Sequence, residues 1–545
     1  MADAMKFGLR LFLSGLLLVC GMTLGKWSPG AGAARRQLFV TAGRCMACHN
    51  GLTTDAGADV SIGTEWRPSM MAHSARDPYW HAAVRREILD HPTAKTDIEN
   101  ECSSCHMPMA QYEARTASGK LEVFAHLPAG RSNLRTDVLA ADGVSCTVCH
   151  QIEDKGLGKK ESFTGGFAID TQAPAGSRKI FGPYDMDRGR RTVMQSSSGF
   201  EPVRASHIAN AEHCATCHTL YTHALGAEGE TVGELPEQVP YLEWNHSVYS
   251  GVMSCQSCHM PIANGAMPIA SVLGQPRNRM SRHVFRAANF FMPRIFARYR
   301  DELGVGALSQ ELGAASQEDI AYLGSAAARL NITNARISSD KLLAEVGIES
   351  FAGHKLPTAY PSRRLWIHFT VRDDQKSIVF ESGAFQPDGS IRGNDNDGDA
   401  GRYEPHYREI DDPEKVQIYE AIMVDKNGRV TTGLLTGVRY AKDNRLLPRG
   451  FDKTTAAADI AAQGEALKDD DFKDGGDHVR YSVKLSQGMN AYTIEAELRY
   501  QPIGYRWAQN LRQQEAAETG RFVSYYESMA NISSTILARA GATVK

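Results

Sequence analysis

Five copies of Cys-x-x-Cys-His constrain this chain more than any other feature. They are Cys45-Met46-Ala47-Cys48-His49, Cys102-Ser103-Ser104-Cys105-His106, Cys146-Thr147-Val148-Cys149-His150, Cys214-Ala215-Thr216-Cys217-His218 and Cys255-Gln256-Ser257-Cys258-His259. Together they use ten of the 11 cysteines; Cys20 stands alone, and no cysteine follows Cys258 in a chain of 545 residues. A uniform disulfide scaffold and a cytosolic enzyme with scattered thiols both conflict with this distribution. The first cysteines of successive motifs are 57, 44, 68 and 41 residues apart, which leaves room for only a few short helices and loops in each interval.

The motif is the attachment signature of c-type haem. Two thiols with a two-residue gap reach the two vinyl groups of one ring, and the adjoining imidazole falls beneath it as an iron ligand. A zinc ribbon has no need of a histidine directly after its second cysteine, and a thioredoxin-like pair occurs once, in a βαβ unit. Five repeats that leave no odd cysteine in a processed chain therefore predict five covalent haems c. So little protein separates them that the rings must lie close together, and an electron relay follows. Ten haem propionates would make the loaded protein distinctly more acidic than the polypeptide.

Two other properties set the context. Lys and Arg number 60 against 63 Asp and Glu, a formal charge of −3, which gives no support for nucleic-acid binding. Lys6 and Arg10 precede the apolar run Leu11–Leu24, and Ala31-Gly32-Ala33 follows as a small-residue cleavage signature. Fourteen apolar residues are short for a membrane span, so residues 1–33 are predicted to be a cleaved export signal, with a retained anchor as the alternative. Cys20 would leave with the signal; a lipoprotein reading there is weakened by the bulk of Val19. The expected location is periplasmic or extracellular.

Five proximal residues leave 13 of the 18 histidines as distal candidates. An internal repeat guides the choice. Glu65-Trp66-Arg67-Pro68-Ser69 lies between Cys45…His49 and Cys105-His106-Met107-Pro108; Glu243-Trp244-Asn245-His246-Ser247 lies between Cys214…His218 and Cys258-His259-Met260-Pro261. This reads as duplication of a two-haem unit around a central third haem. It nominates His126, 20 residues after His106, and His283, 24 after His259. His91 and His207, just ahead of the second and fourth motifs, are further candidates. His213 adjoins Cys214 and is too constrained to reach another iron. His73, His81, His223 and His246 read as surface or haem-edge packing, and Met70 and Met71 as core, with ligation of the first haem by one of these methionines as the alternative.

The cysteine-free half changes period. After helical stretches at Asp319–Leu323 and Ala326–Leu330, Leu365, Ile367, Phe369 and Val371 alternate with Trp366, His368 and Thr370. Val416–Val424, Val430–Tyr440, Val479–Leu485 and Tyr492–Tyr500 repeat the pattern between Gly/Asn/Asp turns. The expected fold is α+β. Residues 34–300 form a mostly helical and loop pentahaem domain, 301–335 a helical linker, 336–505 an antiparallel β-sandwich and 506–545 a C-terminal helix. Within it, His354 in Ala352-Gly353-His354-Lys355-Leu356-Pro357-Thr358 reads as a distal ligand lent by the β domain, with a buried hydrogen-bonding histidine as the alternative. Arg363 and Arg364 suit haem propionates or surface ion pairs. His406 is a weaker ligand candidate, His368 a strand residue, and Asn394–Asp399 a solvated turn that departs from the EF-hand spacing. Neither a phosphate loop nor a nucleophile elbow is evident.

The five motifs, the two Cys-His-Met-Pro endings and Glu243-Trp244-x-x-Ser247 resemble multihaem cytochromes c of the cytochrome c-554 type. Gly353–Thr358 with Pro361-Ser362-Arg363-Arg364 is similar to a C-terminal module of bacterial multihaem cytochromes. The resemblance implies an exported electron carrier in respiratory or extracellular electron transfer. It also brings in enzymatic relatives, the multihaem nitrite reductases and hydroxylamine oxidoreductases, although Cys-x-x-Cys-Lys, the catalytic signature of pentahaem nitrite reductases, is missing. Three readings follow. The first is a pentahaem carrier exchanging electrons with partner redox proteins. The others are an oxidoreductase on a small nitrogen or sulfur oxyanion, and a membrane-associated complex subunit or haem-stacked oligomer.

Overall fold

The computed structural model describes residues 37–485 and 491–545, of which Leu38–Lys545 form one compact unit. The export-signal segment, Cys20 included, lies outside the described residues.

Each motif occupies a helical turn, because thiols three residues apart must share one helix face. The first follows on the helix Ala42–Met46, its turn closed by the N–H of Cys48 and of His49 on Cys45 O; the others are the end of Lys95–His106, Cys146–Cys149, the end of Ala211–His218, and Cys255–His259. The longest helix of this region, Pro78–Asp90, begins with its proline at the first position. Its cap is Asp77, whose carboxylate accepts from the backbone N–H of Tyr79 and Trp80 at 2.8 and 3.3 Å.

The second half is built on two larger sheets. Ala328–Ser338, Lys341–Ser350, Gly476–Lys484 and Glu409–Ile410 form one, and only its last pairing is parallel. Ile418–Tyr419, Arg364–Asp373, Tyr492–Gln501 and Thr535–Val544 follow one another in the other, with Ile378–Ser382 also on Arg364–Asp373. Ile367 lies opposite Leu498, Phe369 opposite Ala496 and Val371 opposite Ile494. The register thus gathers apolar side chains on one face. Phe369 stacks on Tyr481 of the other sheet with ring centres 3.7 Å apart. The alternate residue Trp366 is equally buried, in a separate cluster with Ile391, Val416 and Ile418.

Two segments differ from the sequence expectation. The helical pattern expected at Ala326–Leu330 gives way to strand at Ala328, after a helix over Ser309–Ala326. At the C-terminus the helices Tyr505–Leu511 and Ala517–Met529 are present, but Thr535–Val544 is a strand on Tyr492–Gln501. Its alanines favour a helix locally; an open sheet edge outweighs that preference. One buried cluster joins Tyr79, Tyr241 and Trp244 of the motif-bearing half to Leu342, Phe369 and Tyr481 of the sheets. The β half therefore shares a core with the motifs.

Candidate functional site

All fifteen motif residues line one continuous cavity of about 1550 Å³. The ten motif thiols are unpaired. Burial pushes the Cys102 thiol up, and it pushes Cys149 up to about 12, so both stay protonated at neutral pH.

Four motif imidazoles are oriented in the same way. Nδ1 meets a backbone carbonyl: His49 on Ile269 at 2.6 Å, His106 on Ser74 at 3.0 Å, His150 on Phe181 at 2.6 Å, His259 on Arg286 at 2.7 Å. A carbonyl accepts only from N–H, so Nδ1 carries the proton and Nε2 presents a lone pair. Such second contacts fix a ligating imidazole in tautomer and direction. Burial holds His106 and His259 down to about 4, and they remain neutral. Trp80 stacks on His106, centres 4.3 Å apart and planes 1° from parallel.

Two further histidines face motif histidines across this cavity. His283 and His150 have ring centres 6.3 Å apart and planes 21° from parallel; for His354 and His259 the values are 6.3 Å and 12°. Two metal–imidazole bonds of about 2 Å, plus about 1.1 Å from each nitrogen to its ring centre, span roughly 6.2 Å. Nδ1 of His283 points at Ser281 O (3.2 Å) and Nδ1 of His354 at Lys355 O (2.9 Å), so in all four rings Nε2 is the nitrogen without a protein hydrogen bond. Both pairs are spaced to hold an iron between them, and the donor set fits haem c.

The other sequence candidates lie elsewhere. His126 does not line the cavity; its Nδ1 is held by Asp137 at 2.5 Å. His91 is half-buried outside it, with Nε2 3.5 Å from Thr436 Oγ1. His207 is buried behind the wall, its Nε2 on Ile152 O at 2.8 Å. His213, set aside from sequence for its place beside Cys214, does line the cavity, with Nδ1 buried and unpartnered. His73 is 3% exposed and has no hydrogen bond at either nitrogen. Only its place just after Glu-Trp-x-x-Ser marks it in the sequence.

Arg363 reaches the cavity wall and donates to Thr358 O at 3.0 Å. Arg364 does not: it is spent on Asp397, Gln501 and Gly389. Asp397 belongs to the Asn394–Asp399 turn, which is thereby tied to the sheet. His406 is buried with Asp469 and Asp477. Its Nδ1 faces the amides of Gln417 and Asn444 at 2.9 and 3.1 Å, leaving an Nε2–H for Asp469, so this cluster is hydrogen-bonded within itself.

The thiols also record which motifs adjoin. Cys45 and Cys146 perturb each other's ionisation directly, as do Cys105 with Cys217 and Cys214 with Cys255. Cys149 senses Cys217. The first motif thus neighbours the third, the third neighbours the fourth, and the fourth neighbours both the second and the fifth.

Among solved structures the chain is similar to a penta-heme cytochrome c552 from Thermochromatium tepidum, at 14% identity and a TM-score of 0.52, over 93% of this chain and 100% of that one. At this identity the likeness is one of fold: the chain has a fold like that of a multihaem cytochrome. No family model and no curated protein matches.

Proposed function

We propose that this chain is an exported multihaem c-type cytochrome, carrying five covalent haems and passing single electrons to and from partner redox proteins. The observation that carries the reading is the pair of facing histidines, His150–His283 and His259–His354, in a cavity that touches every motif. Haem iron supplies one-electron chemistry between its ferric and ferrous states. The chain's own residues do the rest. Ten thiols would anchor the rings, imidazoles held neutral by burial would ligate, and Arg363 offers a fork to a propionate. The fold shared with a penta-heme cytochrome supports the same cofactor. The N-terminal pattern supports export to the periplasm or beyond. Among the described residues no helix is long and apolar enough to cross a membrane.

A specific observation favours a second reading. Besides the motif residues, His213, His283 and His354 are the only histidines that line the cavity among the described residues, three imidazoles for five irons. Irons without a partner would bind exogenous ligands, as an oxidoreductase on a small nitrogen or sulfur compound requires. Near the second motif, Glu87, Glu101 and Glu237 bear electrostatically on Cys102.

Mass spectrometry and haem quantification of the exported protein test the first reading, with five thioether-bound haems per chain expected; fewer would overturn it. Cyanide and carbon monoxide titrations separate the two. Uptake confined to a minority of irons, without turnover of nitrite, hydroxylamine or sulfite, supports the carrier, whereas turnover supports the enzyme.

A further inference from the structure

The Glu-Trp-x-x-Ser repeat does the same job twice, and the job is not the one its position in sequence suggests. Trp66 donates its indole N–H to Val144 O at 3.1 Å, and Val144 stands two residues before Cys146. Trp244 donates to Met253 O at 2.8 Å, two residues before Cys255. In both copies the serine N–H closes a turn on the tryptophan carbonyl, at 2.9 Å for Ser69 and 3.1 Å for Ser247. Each tryptophan therefore braces the entry to a motif turn. The first copy braces the third motif, although the second is nearer in sequence.

The glutamates reach the opposite wall. Glu65 is 8% exposed; one carboxylate oxygen accepts from Arg282 Nε at 2.5 Å and the other from the backbone N–H of His283 at 2.7 Å. Glu243 is fully buried; Oε2 accepts from the backbone N–H of Lys355 at 3.1 Å and from Thr358 Oγ1 at 2.5 Å, and Arg445 lies 3.1 Å from Oε1. One glutamate thus grips the backbone of His283 itself, the other the residue following His354. The thiol contacts follow the same symmetry: Cys45 with Cys146 and Cys214 with Cys255, the first cysteine of each motif in both cases.

We propose that Glu65 and Glu243 are positioning residues, each holding a distal histidine opposite the motif that the neighbouring tryptophan braces. Glu65 with Trp66 sets His283 against His150; Glu243 with Trp244 sets His354 against His259. The repeated unit is then the first and third motifs in one copy and the fourth and fifth in the other, with the second motif an insertion. The spacing of two imidazoles across an iron has little tolerance, and a charge-assisted bond to the backbone of the ligand or of the residue after it fixes it from outside the coordination shell. This inference rests on the haem reading above.

The test uses the haem-loaded, full-length protein. Haem content and low-spin ferric resonances are measured for the parent, for Glu65→Ala and Glu243→Ala, and for the reference variants His283→Ala and His354→Ala. Carbon monoxide uptake of each reduced protein is recorded alongside. Each glutamate variant is expected to retain five haems and gain carbon monoxide binding at one iron, losing the same resonance as its histidine reference. Each double variant, Glu65→Ala with His283→Ala and Glu243→Ala with His354→Ala, should match the histidine variant alone. Glu65→Gln and Glu243→Gln, which keep an acceptor, should fold even where the alanine variants fail, and should shift the potential of one haem only. Unchanged resonances, or loss spread over all sites, would overturn the proposal. A parent lacking five haems would instead overturn the cofactor reading.

Discussion

Lys355, the residue after His354, is entirely buried, and its ammonium lies 2.6 Å from Asp443. Arg445 grips the same carboxylate at 2.8 and 2.7 Å. Burial alone would raise the pKa of Asp443, but Arg445 and Lys355 overcome it and hold the carboxyl well below its usual range. Asp443→Asn strips two buried cations of their anion and should cost about 3–5 kcal/mol, read as a lower melting temperature. The folded state releases this proton more readily than the unfolded one. Its stabilisation is therefore complete above about pH 4 and drains away on acidification below that. Asp477 carries the opposite sign. Burial pushes its pKa up to about 7, with Tyr419 donating to it at 2.5 Å. The folded state now binds the proton more tightly, so stability falls as pH rises from about 4 to 7. Asp477→Asn, whose amide can donate to the tyrosine oxygen, should flatten that slope and raise the melting temperature above pH 7. A profile unchanged between pH 4 and 8 would refute it.

At the scale of elements, the Ala517–Met529 helix lies against Pro78–Asp90 and so fastens the end of the chain to the motif-bearing half. Two contacts compete for the credit. Phe522 is fully buried with its ring centre 4.8 Å from Tyr79, while Arg85 and Glu518 form a fork at 2.9 and 3.0 Å near the surface. Loss of a buried phenyl leaves a cavity, so Phe522→Ala should cost about 3–5 kcal/mol. Glu518→Ala should cost less than about 1 kcal/mol, since a partly solvated pair returns little net energy. Denaturant titration of both variants checks the contrast, and comparable losses would contradict it. Elements were the scale at which the sequence was most legible. Residues three apart in Cys-x-x-Cys dictate a helical turn, and Leu365–Val371 carries a strand period that survives in the structure. The C-terminal strand was hidden because its alanines read as helix until Tyr492–Gln501 offers an edge. The distal candidates divide for a related reason. His91, His126 and His207 were favoured through nearness to a motif or by the repeat's sequence order. His283, nominated by the same repeat, and His354, nominated by its loop, do line the cavity; they face His150 and His259 across 133 and 95 residues of chain, a pairing that no local spacing encodes.

For the whole molecule the neighbouring thiols define a branched order: first to third, third to fourth, and fourth to both second and fifth. With haems attached at those thiols, ring edges would adjoin where the thiols do. By these thiol neighbours the fourth motif is then a junction and the third the bridge to the first. Replacing Cys146 and Cys149 by alanine should leave one haem cut off from a connected set of three. Reduction by a bulky protein donor should split into two phases, the slower one accounting for a single haem. Replacing Cys102 and Cys105 removes a branch tip and leaves the other four sites continuous, so reduction should remain a single phase. Both variants lose one haem and two buried thiols, so general damage affects them alike; only the order of contacts separates their kinetics. Stopped-flow reduction of the two proteins, matched for haem content, makes the comparison. Two phases in both variants, or in neither, would rule out a junction at the fourth motif.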